Sequence, residues 1–486
     1  MGTFNQFFLI CGLAILSVSR VGAADATLTN ARKLEKSGDF KKATELLAEA
    51  SKKHGLSAEL NREYQWETEL MERIRQDYGL SEERLFQKLS AAVKGLTKDE
   101  FNAWMKEHRF DGRKIDGEMR YVVTSINNLF WRHPDLNSRR QPPKELAAYH
   151  RSLFDTAHRV KTAALEEKKA LVLPTHFKCT MTVTAEKNSA KNGKMIRAWL
   201  PVPRAYPFQK DFVLLDSSSP VKYLSHEDSP IRSVYLEQNA IENQPTKFSA
   251  SYEYVRNGIY FDLKANEVSS GTVDPSVRQF TEQAPHVVFT PQLKALAKDI
   301  IVSEKNPLLQ ARAFYNWISE NIKYSFAREY STLTNISDYC LSNGYGDCGQ
   351  EALLFITLCR SQGIPARWQS GWNLFPSHVG IHDWTEIYLE PYGWVPVDPW
   401  AGIYVMHYCT DLSNDEKREL RDFYFGGLDQ YRMSANADHS QQLQPPKKGF
   451  RSDDVDFQRG ELESGKNIYF DKYNYDLQVE ETSSAK

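Results

Sequence analysis

At 486 residues the chain exceeds what a single hydrophobic core organises, so length alone divides it into about two to four domains. A composition of 41% hydrophobic and 26% charged residues is that of a globular protein and excludes large-scale disorder. With 61 basic against 63 acidic residues and a formal net charge of -2, the balance gives no electrostatic case for nucleic-acid binding, which needs a concentrated basic face.

Residues 7–18, FFLICGLAILSV, are apolar but short for a bilayer span. Val21-Gly22-Ala23 then places small side chains where a signal peptidase cuts, although MGTFNQ ahead of the apolar run has no Lys or Arg. The expectation is a signal peptide over 1–24 and an exported protein, periplasmic or secreted; a buried N-terminal helix is the other reading. No later stretch reaches the eighteen or so apolar residues of a membrane helix, so the mature chain is expected not to span a membrane. It keeps Cys179, Cys340, Cys348, Cys359 and Cys409. An odd number leaves at least one thiol unpaired, and the spacing does not choose between one working thiol and five unlinked ones.

Residues 28–55 read as two short helices broken at Gly38-Asp39, with apolar positions at Ala31, Leu34, Phe40, Ala43, Leu46, Leu47 and Ala50. The pair resembles one tetratricopeptide hairpin but has no second copy at a fixed period. Helical patterning continues to about residue 168, with Thr97 and Glu100 as a capping box ahead of Phe101 and Trp104. Residues 25–168 are therefore expected to form an all-α region whose charges are solvated faces and which could dock a partner protein.

The texture changes at Pro174. FKCTMTVTA (177–185), MIRAWLPVP (195–203), DFVLL (211–215), RSVYLE (232–237), FSASYEYV (248–255) and GIYFDL (258–263) are short and alternating, with turn residues between them. They predict an antiparallel, sandwich-like β domain over 169–275. A mixed segment over 285–410 follows, with helices near 292–303 and 307–322 and strands near 365–373, 383–390 and 394–398. The extension 411–486 is polar and aromatic-rich and reads as irregular, with an edge strand expected within 467–479. The fold class is α+β.

Two segments carry chemistry. In GYGDCGQEALLFITLCRSQGIPAR (344–367), Asp347 suits an N-cap, which puts Cys348 in the first helical turn; Gly363 and Pro365 end the helix. Ala352, Leu353, Ile356, Leu358 and Cys359 are its expected buried stripe, which makes Cys359 a core residue. A thiol at a helix start faces the positive end of the dipole, which favours the thiolate, and the unpaired amides there can bind an oxyanion. In IHDWTEIYLEPYGWVPVDPW (381–400), two extended runs flank Glu390-Pro391-Tyr392-Gly393 and predict a hairpin. His382 and Asp398 lie at the same end of it. A register setting Asp398 opposite Trp384 puts the carboxylate on the His382 face, and a one-residue slip reverses this. Cys348, His382 and Asp398 would then be nucleophile, base and orienting acid. His378, His382, His407 and Cys409 suggest a zinc site only weakly, since no CxxC accompanies them, and no metal or cofactor is expected. Trp384, Trp394 and Trp400 would line a groove or pack the hairpin.

GDCGQEALL, GIPAR, HDWTEIYL and YGWVPVDP, in this order and spacing, resemble the transglutaminase-like core, and the match covers about a quarter of the chain. The resemblance implies a papain-like fold for 285–410 and a catalytic triad of Cys348, His382 and Asp398. GDCGQEA and Cys359-Arg360 are also similar to the peptide N-glycanase branch, and WLPVPR (199–204) resembles the β domain that precedes bacterial versions. Such families hold hydrolases, crosslinking transferases, N-glycanases and inactive relatives. The leading expectation is an exported thiol hydrolase or acyl transferase acting on a protein or peptide substrate. The alternatives are a protein-glutamine crosslinker and a non-catalytic periplasmic scaffold. Calcium-site acids of the animal transglutaminase kind are not apparent, and the second oxyanion donor is open, with Tyr324 and Trp317 as upstream aromatic candidates.

Overall fold

The computed structural model describes residues 25–53, 55–269 and 274–482, so the expected signal peptide over 1–24 lies outside the described residues. Among the described residues no helix is long and apolar enough to cross a membrane. The chain divides into two compact units, one running to Glu72 and including Lys114–Glu118, the other made of Arg73–Arg113 and Met119 onward.

In the first unit the helices Ala26–Ser37 and Phe40–Ala50 form the expected hairpin. Asp25 caps the first by accepting from the Leu28 amide, and Gly38 ends it in the left-handed region at φ 86°. Phe40, Ala43, Leu47 and Ala50 are buried on one face, as their helical spacing requires. The N-terminal region is helical as expected, with one short hairpin added within 25–168. Strands Gly112–Ile115 and Glu118–Tyr121 flank Asp116-Gly117, whose φ values of 48° and 92° suit the Asp-Gly pairs of tight turns. Asp116 is tied to the hairpin: its amide donates to Gly38 O, and its Oδ1 accepts from the Lys41 amide.

The second unit opens with helices Glu82–Ala92, Lys98–Lys106, Ser125–Arg132 and Ala147–Glu167. Thr97 caps the second of these, while the Glu100 carboxylate turns to Arg139, at 2.6 and 2.8 Å, rather than back to the cap.

Two five-stranded antiparallel sheets follow. Leu171–Ala185 and Thr246–Tyr260 dominate one; Met195–Pro201 and Ser233–Asn239 are central to the other. Phe177, Met181, Val183, Leu200, Leu236 and Tyr252 fill their shared core. FSASYEYV and GIYFDL are one strand rather than two. Gly258 passes straight through it because Val160 occupies the space, 2.7 Å from where a Cβ would stand. Tyr473–Thr482 pairs along Leu171–Ala185 and supplies the edge strand expected in the tail. The rest of the tail is less irregular than its polarity suggests: residues 451–463 are largely buried, and Glu461–Glu463 pairs with Met195–Pro201.

Between these parts lie helices Pro291–Ile301, Pro307–Asn321, Cys348–Ser361 and Pro399–Tyr408, and a four-stranded sheet. The sheet order is Gly393–Val397, Gly380–Leu389, Ala366–Asn373, Arg432–Asn436. Cys348–Ser361 is buried on all sides from Gly349 to Arg360, not along a stripe, because the sheet packs on one side and helices on the others.

Candidate active site

Asp347 caps the central helix. Its carboxylate accepts from the Gln350 amide, and the Gln350 side chain returns to the Asp347 amide, closing a capping box. Cys348 is therefore the first helical residue and is half-buried, whereas Cys179, Cys340, Cys359 and Cys409 are buried; all five are free thiols. The helix start does not lower the Cys348 pKa as expected. Burial, followed by Asp383 and Asp347 nearby, pushes the thiol well above its ordinary value. Its Sγ lies 3.3 Å from Asp383 Oδ2.

His382 stands near the start of strand Gly380–Leu389, opposite Gly371. The hairpin register pairs Thr385 with Val397, which brings Asp398 level with Trp384. His382 Nε2 and Asp398 Oδ2 are 2.8 Å apart, so Nδ1 is the ring nitrogen left for the thiol. Asp398 does more than end a strand. Its Oδ1 accepts from the Ala401 amide and caps Pro399–Tyr408, with Pro399 in the first turn. Arg432 Nη2 lies 3.3 Å from Asp398 Oδ2 and Arg432 Nε 3.3 Å from Asp429 Oδ2. Burial opposes the Asp398 charge, but His382, Arg432 and the Ala401 amide together hold it below the usual carboxylate range. Burial lowers the His382 pKa against the pull of Asp398. Trp384 stacks on the imidazole and Trp400 meets it edge-on at 4.8 Å.

Cys348 and His382 line one cleft of about 190 Å³. Trp400 and Tyr324 are among its walls; Trp384 is buried, and Trp394 lies under Arg367. Of the two aromatics considered for a second oxyanion donor, Tyr324 is in the cleft and Trp317 packs against the core. Trp131, Lys144, Leu146 and Tyr149, from the helical region, also line the cleft. Sequence periodicity gave no hint of this, because a residue that faces a cleft looks like one that faces solvent. His378 stacks on Tyr149 at 4.3 Å, and His407 Nε2 faces Ser319 O at 3.0 Å. Among the described residues no group of three or more His, Cys, Asp or Glu is arranged to hold a metal ion.

A buried acidic group behind the cleft was not foreseen. Asp383 Oδ1 accepts from Gln458 Nε2 at 2.7 Å, and the same nitrogen donates to His382 O at 2.8 Å. The Tyr330 hydroxyl donates to Asp347 Oδ1 at 2.7 Å and lies 3.4 Å from Asp383 Oδ2. Burial, then Asp456 and Asp347, raises Asp383 well above the carboxylate range. Burial also raises Asp347, to about 6, and Glu351, whose two oxygens have no hydrogen-bond partner. The available clue to Asp383 was an acid inside the strand run DWTEIYL, where Asp is depleted.

Residues 294–399 match the model of the transglutaminase-like superfamily. A protein of Haemophilus influenzae is 26% identical over 179 residues, covering 31% of this chain and 47% of its own, so this chain spans about half the length of that curated relative. Among solved structures, a candidate cysteine protease from Cytophaga hutchinsonii is similar at 17% identity and a TM-score of 0.43, over 65% of this chain and 93% of its own. The periplasmic domain of TgpA from Pseudomonas aeruginosa is similar at 14% identity and a TM-score of 0.26, over 55% of this chain and 96% of its own.

Proposed function

Residues 294–399 are a transglutaminase-like domain, and from that premise we propose that the protein is an exported cysteine hydrolase or acyl transferase acting on amides, with Cys348 as nucleophile, His382 as base and Asp398 as orienting acid. The observation that carries this reading is the His382–Asp398 bond beside a cleft that both Cys348 and His382 line. Export rests on the apolar segment 7–18 and the small residues after it.

The thiol proton passes to His382 Nδ1 as Sγ bonds to the substrate carbonyl carbon. Amides at the helix start, and the Tyr324 hydroxyl across the cleft, receive the oxyanion. The carbon–nitrogen bond then breaks as His382 returns the proton to the leaving nitrogen. Water attacks the thioester with His382 again as base, releasing the acid and restoring the thiol. Hydrolysis of a peptide or isopeptide bond is the preferred outcome, because water needs no second binding site.

The test is to incubate the protein with peptide and isopeptide amides and look by mass spectrometry for an acyl adduct on the Cys348 peptide. The expected result is an adduct and turnover that both disappear in Cys348→Ala and His382→Ala. Turnover that survives Cys348→Ala would end this reading.

A further inference from the structure

Gln458 fixes the chemistry of Asp383. The His382 carbonyl can only accept, so the Gln458 group facing it is the NH2, and that NH2 also donates to Asp383 Oδ1. One side of the Asp383 carboxyl is thereby held as an acceptor. The other oxygen, Oδ2, lies 3.3 Å from Cys348 Sγ, and among the described residues the Tyr330 oxygen, at 3.4 Å, is its further hydrogen-bonding neighbour. Tyr330 has a single proton and spends it on Asp347 at 2.7 Å.

Resting on the proposed role of Cys348, we propose that Asp383 works as a neutral carboxylic acid whose Oδ2–H donates to the Cys348 sulfur, stabilising the thiolate when the thiol proton has moved to His382. Asp383 keeps its own proton throughout: the proton that travels is the thiol's, first to His382 Nδ1 and then to the leaving nitrogen.

The surroundings favour the neutral acid. Asp347 faces Asp383 from the central helix, Tyr330 from the turn before it, and Asp453 and Asp456 from the tail. Two buried arginines of this region are committed elsewhere: Arg459 pairs with Glu329 and Asp453, and Arg432 with Asp398 and Asp429. With these carboxyls nearby and no ion pair to a cation among the described residues, Asp383 sits where burial keeps a proton on. A hydrogen bond to an anion is stronger than one to a neutral atom, so the O–H would turn from Tyr330 to sulfur once the thiolate forms.

Asparagine mimics the neutral acid, with an acceptor toward Gln458 and a donor toward sulfur; alanine and leucine have no donor. The experiment measures iodoacetamide labelling of Cys348 in the full chain between pH 5 and 7, with peptide mapping, in the wild type and in Asp383→Asn, Asp383→Ala and Asp383→Leu. Asp383→Asn should label at least as fast as the wild type, and the variants without a donor roughly tenfold or more slower, the loss of one bond to a charged group. Labelling of the alanine or leucine variant as fast as the asparagine one would overturn the proposal, since Asp383 would then act only as a repelling carboxylate. If neither of those variants folds, infrared difference spectra of free against alkylated wild type decide. A protonated-carboxyl band that shifts on alkylation and is missing in Asp383→Asn supports the proposal, and no such band overturns it. His382→Ala, labelled alongside, separates this from the triad: labelling as fast as the wild type would count against the triad, whatever the order of the Asp383 variants.

Discussion

Asp398 both caps a helix and carries the charge beside His382, and asparagine would keep only the first role. Asparagine is as good an N-cap as aspartate, so Pro399–Tyr408 should stay capped through the Ala401 amide. The imidazole would lose its orienting charge and its fixed tautomer. Asp398→Asn should therefore lower turnover by about 10³- to 10⁴-fold. The stability loss, about 1–3 kcal/mol, would come from Arg432 losing one of its two carboxylates. Turnover and denaturant unfolding measured on the same sample separate the two effects; a turnover loss no larger than the unfolded fraction explains would contradict the assignment. At this scale the sequence exposes what is local. Asp347 before Cys348 is a cap wherever the helix packs, and the Glu390–Gly393 turn sets the register that brings Asp398 level with Trp384. Asp383 and Gln458 were missed because their meeting depends on a tail segment that no local pattern places beside the His382 strand. The Asp398 cap was legible and overlooked: an Asp-Pro pair starts helices as readily as Pro399 ends a strand.

The strands around His382 tolerate little. Gly371 lies opposite His382 on one side and next to Arg432–Asn436 on the other, and a Cβ there would stand 1.8 Å from Met433 O. A backbone carbonyl in a paired strand cannot rotate away, so Gly371→Ala must push the two strands apart. The expected cost is at least about 3 kcal/mol, with loss of turnover even in the folded fraction because the His382 strand moves too. Gly258→Ala is the contrasting case. It meets the methyl groups of the buried Val160 rather than a paired backbone, so helix and strand must part slightly, and it should cost about 1–3 kcal/mol while leaving turnover intact. Thermal melts and specific activities of the two variants check both statements, and equal behaviour would show that the His382 strand is not rigidly held. The same contrast explains the misplaced strand break at Gly258. A glycine required by a neighbour's bulk and a glycine required by a turn are identical in sequence.

Across the whole molecule, buried acids give stability a pH dependence that composition hides. Asp77, pushed up to about 7 by burial and by Glu329 nearby, is protonated in the folded protein and ionised in the unfolded chain over much of the range between about pH 4 and 7. Its contribution is complete below its unfolded pKa and is lost as pH rises through about 7. Buried histidines such as His286, lowered to about 4 by burial and His439, act with the opposite sign below about pH 6.5, so the total curve mixes the two. A comparison with Asp77→Asn isolates one group. From pH 4 to 7 the stability difference should move in favour of the variant, by no more than about 1.4 kcal/mol per pH unit, and then level off. A difference that does not change with pH would show Asp77 to be ionised when folded. The two-sheet architecture and the transglutaminase-like core were legible because strand alternation and four ordered motifs are contiguous signals. The closing of one sheet by Tyr473–Thr482 was only partly so, since a polar, aromatic edge strand looks much like a tail.

Gln458 and Asp456 also set an order of events. Ribosomes deliver Cys348, His382 and Asp398 well before the segment that fixes Asp383, and before Glu461–Glu463, which ties that segment to Met195–Pro201. A chain interrupted during synthesis or threading would own all three residues of the proposed triad and still lack the donor arrangement behind the sulfur. If the proposed roles of Cys348 and Asp383 hold, the thiol would gain its donor only once Gln458 is in place, so a partly made chain would carry an unassisted thiol.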